Sequence, residues 1–208
     1  MTPTRELARQ VYLEAKAFCK PLGLRVISVY GGQSVQTQLS DFKQGAEIVV
    51  CTPGRMIDVL TLNKGRVTNL RRVTFLVIDE ADRMFDLGFE PQINRIIDNV
   101  RPNRQCCLYT VTFPMNVQGM ARRILKKPVE IIVGSRGQAC HNVTQMVEVR
   151  EESSKFLRLL EILGIWHEKG SILIFVDKQT EASLLFQELT RYGYHSLLMY
   201  GAMDSDDR

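Results

Sequence analysis

The 208-residue chain has no apolar run approaching the roughly 20 residues that a helix needs to cross a bilayer. Its first ten residues, MTPTRELARQ, lack the apolar core of a secretory signal. Cysteine is sparse and odd in number: Cys19, Cys51, Cys106, Cys107 and Cys140 form no CxxC pair. With no export signal, reduced thiols in a cytoplasmic or nuclear protein are the simplest reading. Only three histidines occur (His141, His167, His195), and none has ligand spacing with a cysteine, which argues against a zinc site. Asn142-Val143-Thr144 has the form of a glycosylation acceptor, a chance match in an intracellular chain. Neither sign of charge dominates. Against 27 Lys and Arg stand 23 Asp and Glu, a formal net charge of +4. That balance permits an anionic partner without requiring one, so the placement of the cations matters more than their sum. With 45% hydrophobic and 24% charged residues the composition excludes wholesale disorder.

What is present is a rhythm of short apolar strands and amphipathic helices. Thr4 can cap a helix whose stripe runs Leu7, Val11, Ala15 and Phe18 and ends near Pro21-Leu22-Gly23. Strands are expected over 24–30, 47–51, 75–78, 105–109 and 129–133, separated by a polar helix, a helix over 56–62, one over 91–100 and one over 115–125. Pro53 suits the first turn of its helix. Fully apolar strands alternating with helices predict an α/β fold, a parallel sheet covered on both faces. Gly134-Ser135-Arg136-Gly137-Gln138 reads as a linker, and the rhythm restarts beyond it: strands over 145–150, 172–176 and 195–200, helices over 154–166 and 180–192. The expected organisation is a first domain over 1–133, a linker over 134–144, and a second domain over 145–208 whose βα pattern is cut mid-unit.

In an open α/β sheet, ligands gather at the carboxyl ends of the strands. Asp79 and Glu80 stand there, followed by Ala81 and Asp82. A carboxylate at the tip of a buried strand can hold magnesium through water beside nucleotide phosphates, and a neighbouring Glu can orient or deprotonate an attacking water. A bare acidic pair would more often cap the next helix. This pair does not stand alone. Pro3-Thr4-Arg5-Glu6-Leu7-Ala8, Gly31-Gly32, Thr52-Pro53-Gly54-Arg55, Asp79-Glu80-Ala81-Asp82 and Phe113-Pro114 follow in one order within one domain.

Together these motifs resemble those of DEAD-box ATP-dependent RNA helicases, from Pro3 to Arg208. Segments 65–74 and 156–164 resemble the subgroup that acts at the branch point in pre-mRNA splicing. The resemblance implies two RecA-like domains, the first without its N-terminal phosphate-loop part and the second truncated. It implies ATP and Mg2+ as cofactors, with Asp79 on magnesium through water and Glu80 positioning the hydrolytic water. Asp82 would bond the hydroxyl of Thr110 or Thr112. Thr4, Arg5, Gly31, Gly32, Thr52, Pro53, Gly54, Arg55 and Arg208 would line an RNA backbone path. Implied too are a monomer without membrane contact, RNA and spliceosomal proteins as partners, and the nucleus, or else the cytoplasm, as location. Backbone N–H groups at the starts of the helices after Thr4 and Thr52 suit phosphate oxygens, and such contacts carry no base identity.

Three features depart from the family pattern. GxxxxGK[ST], the loop that cradles nucleotide phosphates, occurs nowhere in the chain, so the chain by itself is expected to be inactive as an ATPase. Thr110-Val111-Thr112 replaces the usual Ser-Ala-Thr, and the two extra methyl groups of Val111 are expected to crowd a tight spot and weaken coupling. Tyr200-Gly201-Ala202-Met203-Asp204-Ser205 also differs from the family's sequence there. Phe175, in Ile174-Phe175-Val176-Asp177, reads as a core residue. The alternatives to the helicase reading are a non-enzymatic RNA- or protein-binding module and a nonfunctional gene remnant.

Overall fold

The computed structural model describes residues 1–134, 140–201 and 203, and the chain divides into two compact units, Met1–Ala139 and Cys140–Arg208. In the first unit the element order is α1 (Arg5–Cys19), β1 (Val26–Val29), α2 (Val35–Lys43), β2 (Ile48–Cys51), α3 (Pro53–Thr61), β3 (Phe75–Ile78), α4 (Ala81–Asp86), α5 (Glu90–Asn99), β4 (Gln105–Leu108) and α6 (Met115–Ile124). Short 3-10 turns follow α1 and α3. The architecture is α/β, with parallel ladders flanked by helices, as in a RecA-like fold.

Both ladders are parallel: β1 pairs with β2, Val26 opposite Ile48 through Val29 opposite Cys51. β3 pairs with β4, Phe75 opposite Gln105 through Ile78 opposite Leu108. A single five-stranded sheet was expected, whereas the described residues form two two-stranded ladders. The chain's first two residues lie between them. The Met1 ammonium donates to the Val77 carbonyl at 2.8 Å and the Asp79 N–H donates to the Met1 carbonyl at 3.0 Å. That reciprocal pair is the pattern of a parallel bridge opposite Ile78. On the other side, the Thr2 N–H donates to the Cys51 carbonyl at 3.0 Å. Met1 and Thr2 thus tie β2 to β3 at their carboxyl ends, and the strand order across the unit is β1, β2, Met1-Thr2, β3, β4.

Packing fixes those carboxyl ends. Behind β3 the buried cluster of Ile78, Ala81, Met84, Ile93, Val117 and Met120 joins the strand to α4, α5 and α6. Burial of each large member contributes about 1.5–3 kcal/mol, so the residues just after Ile78 sit on a rigid support. A second cluster seats α3 against β1, β2 and α5 through Ile27, Val29, Met56, Val59 and Ile96. Ala8 of α1 packs on Val26, Tyr30 and Val50 in a third. The helix α4 was not anticipated; at six residues it is too short to show a periodic stripe.

The segment over 129–133 was expected to be a strand and forms none; Val129, Ile131 and Val133 are exposed. The second unit contains α7 (Glu152–Trp166) and α8 (Gln179–Arg191), close to the expected helices, but no strand among its described residues. Segments 145–150, 172–176 and 195–200 carry the apolar composition of strands without a ladder partner, and Phe175 is 88% exposed rather than in a core. Apolar runs mark a segment that can pair, and only a neighbouring strand makes it one. Leu163 and Leu189 are the buried side chains of α7 and α8. Glu148 anchors this unit by charge: its carboxylate accepts from both Nε and Nη2 of Arg158 (3.0 and 2.6 Å) and from Arg150 Nε (2.6 Å). Ser135–Gln138 of the expected linker and Arg208 lie outside the described residues.

Candidate nucleotide and RNA site

Every site residue expected in the first unit lies just beyond a strand's carboxyl end or on the helix that follows. Three bonds from backbone N–H groups, one of them to a side-chain carboxylate, define the turn from β3 into α4. Glu80 N–H donates to Asp79 Oδ1 (3.0 Å), Ala81 N–H to the Tyr109 carbonyl (3.0 Å) and Met84 N–H to the Glu80 carbonyl (3.0 Å). Between them Glu80 adopts φ 51, ψ 54, the left-handed region. For a residue with a Cβ this costs roughly 1–2 kcal/mol, and it persists because the surrounding bonds over-determine it. Nothing in the sequence signals this conformation. Asp79 spends one oxygen on the turn, and its second has no partner among the described residues.

Asp82 is the hub of the contact between the start of α4 and residues 110–112. Its Oδ2 accepts from the Thr112 hydroxyl at 2.6 Å and from the Thr112 N–H at 2.8 Å, and its Oδ1 accepts from the Arg83 N–H at 3.0 Å. The Thr110 hydroxyl receives the Asp82 N–H at 3.2 Å and donates to the Thr112 carbonyl at 2.7 Å. Of the two threonines, Thr112 therefore donates its hydroxyl to the Asp82 carboxylate, and Thr110 fastens the backbones of both. Partial burial pushes the Asp82 carboxyl upward, but the hydrogen-bonding groups of Thr112, then Thr110 and Arg83, outweigh it and hold the group below its usual range. Val111 is 85% exposed, so its methyl groups meet no crowding; the expected tight spot is absent.

The second cluster gathers around Gly31-Gly32, after β1. Thr4 caps α1, accepting the Leu7 N–H at 3.3 Å. The adjacent Arg5 lays its guanidinium over the glycines. A methyl on Gly31 would sit 3.2 Å from Arg5 Nε, and one on Gly32 would sit 2.8 Å from Nη1. Gly32 also has φ +86, so glycine is needed there twice over. Arg55, one of the residues expected along an RNA path, turns largely inward in this chain. It donates to the Gln33 carbonyl (3.1 Å), its Nε lies 3.5 Å from Asp58, and its side chain is 16% exposed. The buried Gln38 donates to the Tyr30 carbonyl at 2.8 Å, and Gln33 to the Tyr30 hydroxyl at 2.9 Å. Tyr30, Gln33 and Gln38 thus shape the glycine turn, and sequence reasoning missed them; a glutamine on the buried face of α2 was the available signal.

At α3 the start is open. Thr52 is extended (φ −89, ψ 144) with no side-chain cap, and Pro53 brings no N–H. The N–H groups of Gly54 and Arg55 are left without a side-chain partner, and a methyl on Gly54 would meet nothing within 4 Å. Among the described residues no three His, Cys, Asp or Glu side chains converge as a metal cluster. The available donor set, one free oxygen of Asp79 beside Glu80, fits a magnesium ion held mainly by water and phosphates rather than a protein cage.

A parallel α/β unit with an acidic strand tip, an aspartate bonded to Thr112 and a glycine turn clasped by arginine has the architecture of a partial RecA-like fold. Comparison with known proteins narrows the class. The DEAD/DEAH box helicase family matches residues 1–120, and the chain belongs to that family. Over all 208 residues it is 57% identical to the human "Probable ATP-dependent RNA helicase DDX46" and 58% identical to the Danio rerio protein of that name. It is 56% identical to "DEAD-box ATP-dependent RNA helicase 42" of Arabidopsis thaliana. In each case the whole chain aligns, but it covers only 18–20% of the relative's length.

Proposed function

We propose that the chain is the RNA-gripping and Asp79-Glu80-Ala81-Asp82 portion of an ATP-dependent RNA helicase that acts in pre-mRNA splicing in the nucleus. The carrying observation is the common placement of the glycine turn, the open start of α3 and the acidic tip at the carboxyl ends of neighbouring strands. Arg5 and the N–H groups of Gly54 and Arg55 meet RNA phosphates, with Thr4 and Thr52 setting their helix starts. Arg55 acts through its bond to the Gln33 carbonyl, holding the Gly31-Gly32 turn in the shape that lets a phosphate approach. Contacts of this kind read the backbone and give sequence-independent binding.

At the tip, magnesium neutralises phosphate charge when bound. Asp79 would hold it through water, and Glu80, fixed by its left-handed turn, would orient the attacking water. Asp82 would report the nucleotide state to residues 110–112 through the Thr112 hydroxyl. The chain has no GxxxxGK[ST], so these groups work in the intact protein and the 208-residue chain alone does not turn over ATP. Domain boundaries near 133 and 145, RNA and spliceosomal proteins as partners, and a monomeric state complete the proposal.

The test is RNA-stimulated ATPase of residues 1–208, wild type and Glu80→Gln. Activity indistinguishable from buffer in both is expected. Turnover by wild type that Glu80→Gln abolishes would overturn the assignment of the chain as inert alone. A non-enzymatic RNA-binding module is the second reading, favoured by the committed, pre-shaped Arg5-Gly31-Gly32 cluster; RNA binding by the intact natural product that ignores ATP would select it.

A further inference from the structure

We infer that the first unit carries a second RNA-binding surface on the amino-terminal side of its sheet, opposite the site described above, suited to the phosphate backbone of duplex RNA. In a parallel sheet every loop that leads into a strand falls on one side. Here those loops are physically joined. Arg25, before β1, donates from Nη1 to Gln44 at 2.5 Å and from its backbone to Glu47 at 2.7 Å, linking the loops into β1 and β2. Leu70, in the loop into β3, packs in one cluster with Val100, where the loop into β4 begins. Lys126, after α6, donates to the Pro102 carbonyl of that same loop at 3.0 Å.

These segments are strongly basic. Before β1 stand Lys20 and Arg25; before β2 stands Lys43, with two acids beside them, Asp41 (3.5 Å from Arg25 Nη2) and Glu47. Before β3 stand Lys64, Arg66, Arg71 and Arg72 without an acid in 62–74. Arg101 and Arg104 precede β4, and Lys126 and Lys127 follow α6. The chain's overall charge of +4 hides this concentration, because the acids are spread over the rest of the chain.

Cations at helix carboxyl ends have an ordinary explanation, since they complement the helix dipole. That accounts for Lys20, Lys43 and Lys126. It does not account for Arg66, Arg71 and Arg72, which lie well past the end of α3, are exposed, and have no acid within salt-bridge distance among the described residues. Five strand positions about 4.8 Å apart make the face roughly 20 Å wide, enough to meet several phosphates of a double helix. Arginine, with its forked planar donors, suits phosphate oxygens. A protein partner would require a desolvated apolar or aromatic anchor at the centre. The loop into β3 offers Leu62, Asn63, Gly65, Val67, Thr68 and Asn69 between its cations, with Leu70 already buried; the exposed Leu22, Leu24, Ile48 and Phe75 stand at the entries to three different strands rather than among these arginines. The observations therefore favour RNA over an acidic protein.

This surface extends the RNA reading to a second face and does not depend on Arg5 or Arg55. The test uses the full 208-residue chain and a fluorescent 20-base-pair RNA duplex, with affinity measured by anisotropy from 50 to 200 mM salt. Three proteins are compared: wild type, the triple variant Arg66→Glu, Arg71→Glu, Arg72→Glu, and an equally charged control, Lys169→Glu, Lys178→Glu, Arg191→Glu, in the second unit. Each phosphate contact contributes about 0.9 to the slope of log affinity on log salt, so the loop triple should lower that slope by roughly 2–3 and weaken binding about tenfold or more at low salt. The control should change the slope by less than half as much, and the loop triple should lower the duplex slope by the same amount in an Arg5→Ala background as in wild type. Replacement of the same three arginines by Gln, with thermal melting of each variant, separates lost contacts from lost folding. An unchanged slope in the loop triple, an equal loss in the control, or competition by poly-glutamate as effective as by RNA would overturn the proposal.

Discussion

Gly54→Ala separates folding from RNA contact more cleanly than any other substitution in the first unit. The added methyl would meet nothing within 4 Å, and the backbone there is helical, so it carries no steric cost. Alanine is favoured over glycine by about 0.8–1 kcal/mol in a helix interior, and by about half of that in a first turn. Stability should therefore rise by about 0.5 kcal/mol, or roughly 1–2 °C in Tm for a unit of this size. Because Cα–Cβ bonds in a helix tilt toward its amino terminus, the same methyl would project toward the space a phosphate at the Gly54 and Arg55 N–H groups has to enter. Loss of one hydrogen bond to a charged phosphate costs about 1.5–3 kcal/mol, a ten- to hundred-fold weaker Kd. Anisotropy with a labelled uridine oligomer, together with a thermal melt, reads both numbers. A raised Tm with unchanged affinity would refute the claim that phosphate approaches α3 there. Gly32→Ala cannot make this distinction. Its φ of +86 and the 2.8 Å approach to Arg5 would lower stability and displace Arg5 at once.

Two further outcomes follow from the charged groups. Thr112→Val removes the 2.6 Å hydroxyl bond to Asp82 but leaves the backbone donor. It should destabilise the first unit by about 1 kcal/mol in urea titration, given partial exposure, and a double-mutant cycle with Asp82→Ala should show the loss to be shared. Independent, additive losses would contradict the contact. The Asp82 carboxyl is held low in the folded chain, so its contribution is present above the ordinary aspartate range and fades as pH falls through the folded value. In the second unit, hydrogen bonds from Arg158 and then Arg150 hold Glu148 down to about 2. Its stabilising effect should persist at neutral pH and vanish on acidification from about 4.5 toward 2. NMR titration of Glu148 should give a midpoint near 2 that rises in Arg158→Gln, and an ordinary glutamate midpoint in wild type would contradict the pairing.

Much of the first unit was legible because its signals are local. Thr4 caps α1, Pro53 opens α3, and the acidic run after Phe75–Ile78 falls at a strand end, each a consequence of side-chain chemistry within a few residues. The pairing of Asp82 with residues 110–112 was readable only as a choice of two threonines. Which hydroxyl reaches the carboxylate depends on the register of β3 against β4. The left-handed Glu80, the inward turn of Arg55 and the bridging role of Met1 and Thr2 were not legible, because each is set by backbone bonds to distant strands. Strand expectations failed in 129–133 and throughout the second unit for a related reason: hydrophobicity was readable, and ladder partners were not.

Hydrogen exchange of the 208-residue chain with and without a single-stranded uridine oligomer tests the central claim most directly, because the proposed contacts are themselves backbone amides. Slowed exchange is predicted at Gly31-Gly32 and at Gly54-Arg55, with protection lost in Arg5→Ala. Unchanged exchange at both segments under saturating RNA would contradict an RNA backbone path at the carboxyl ends of β1 and β2.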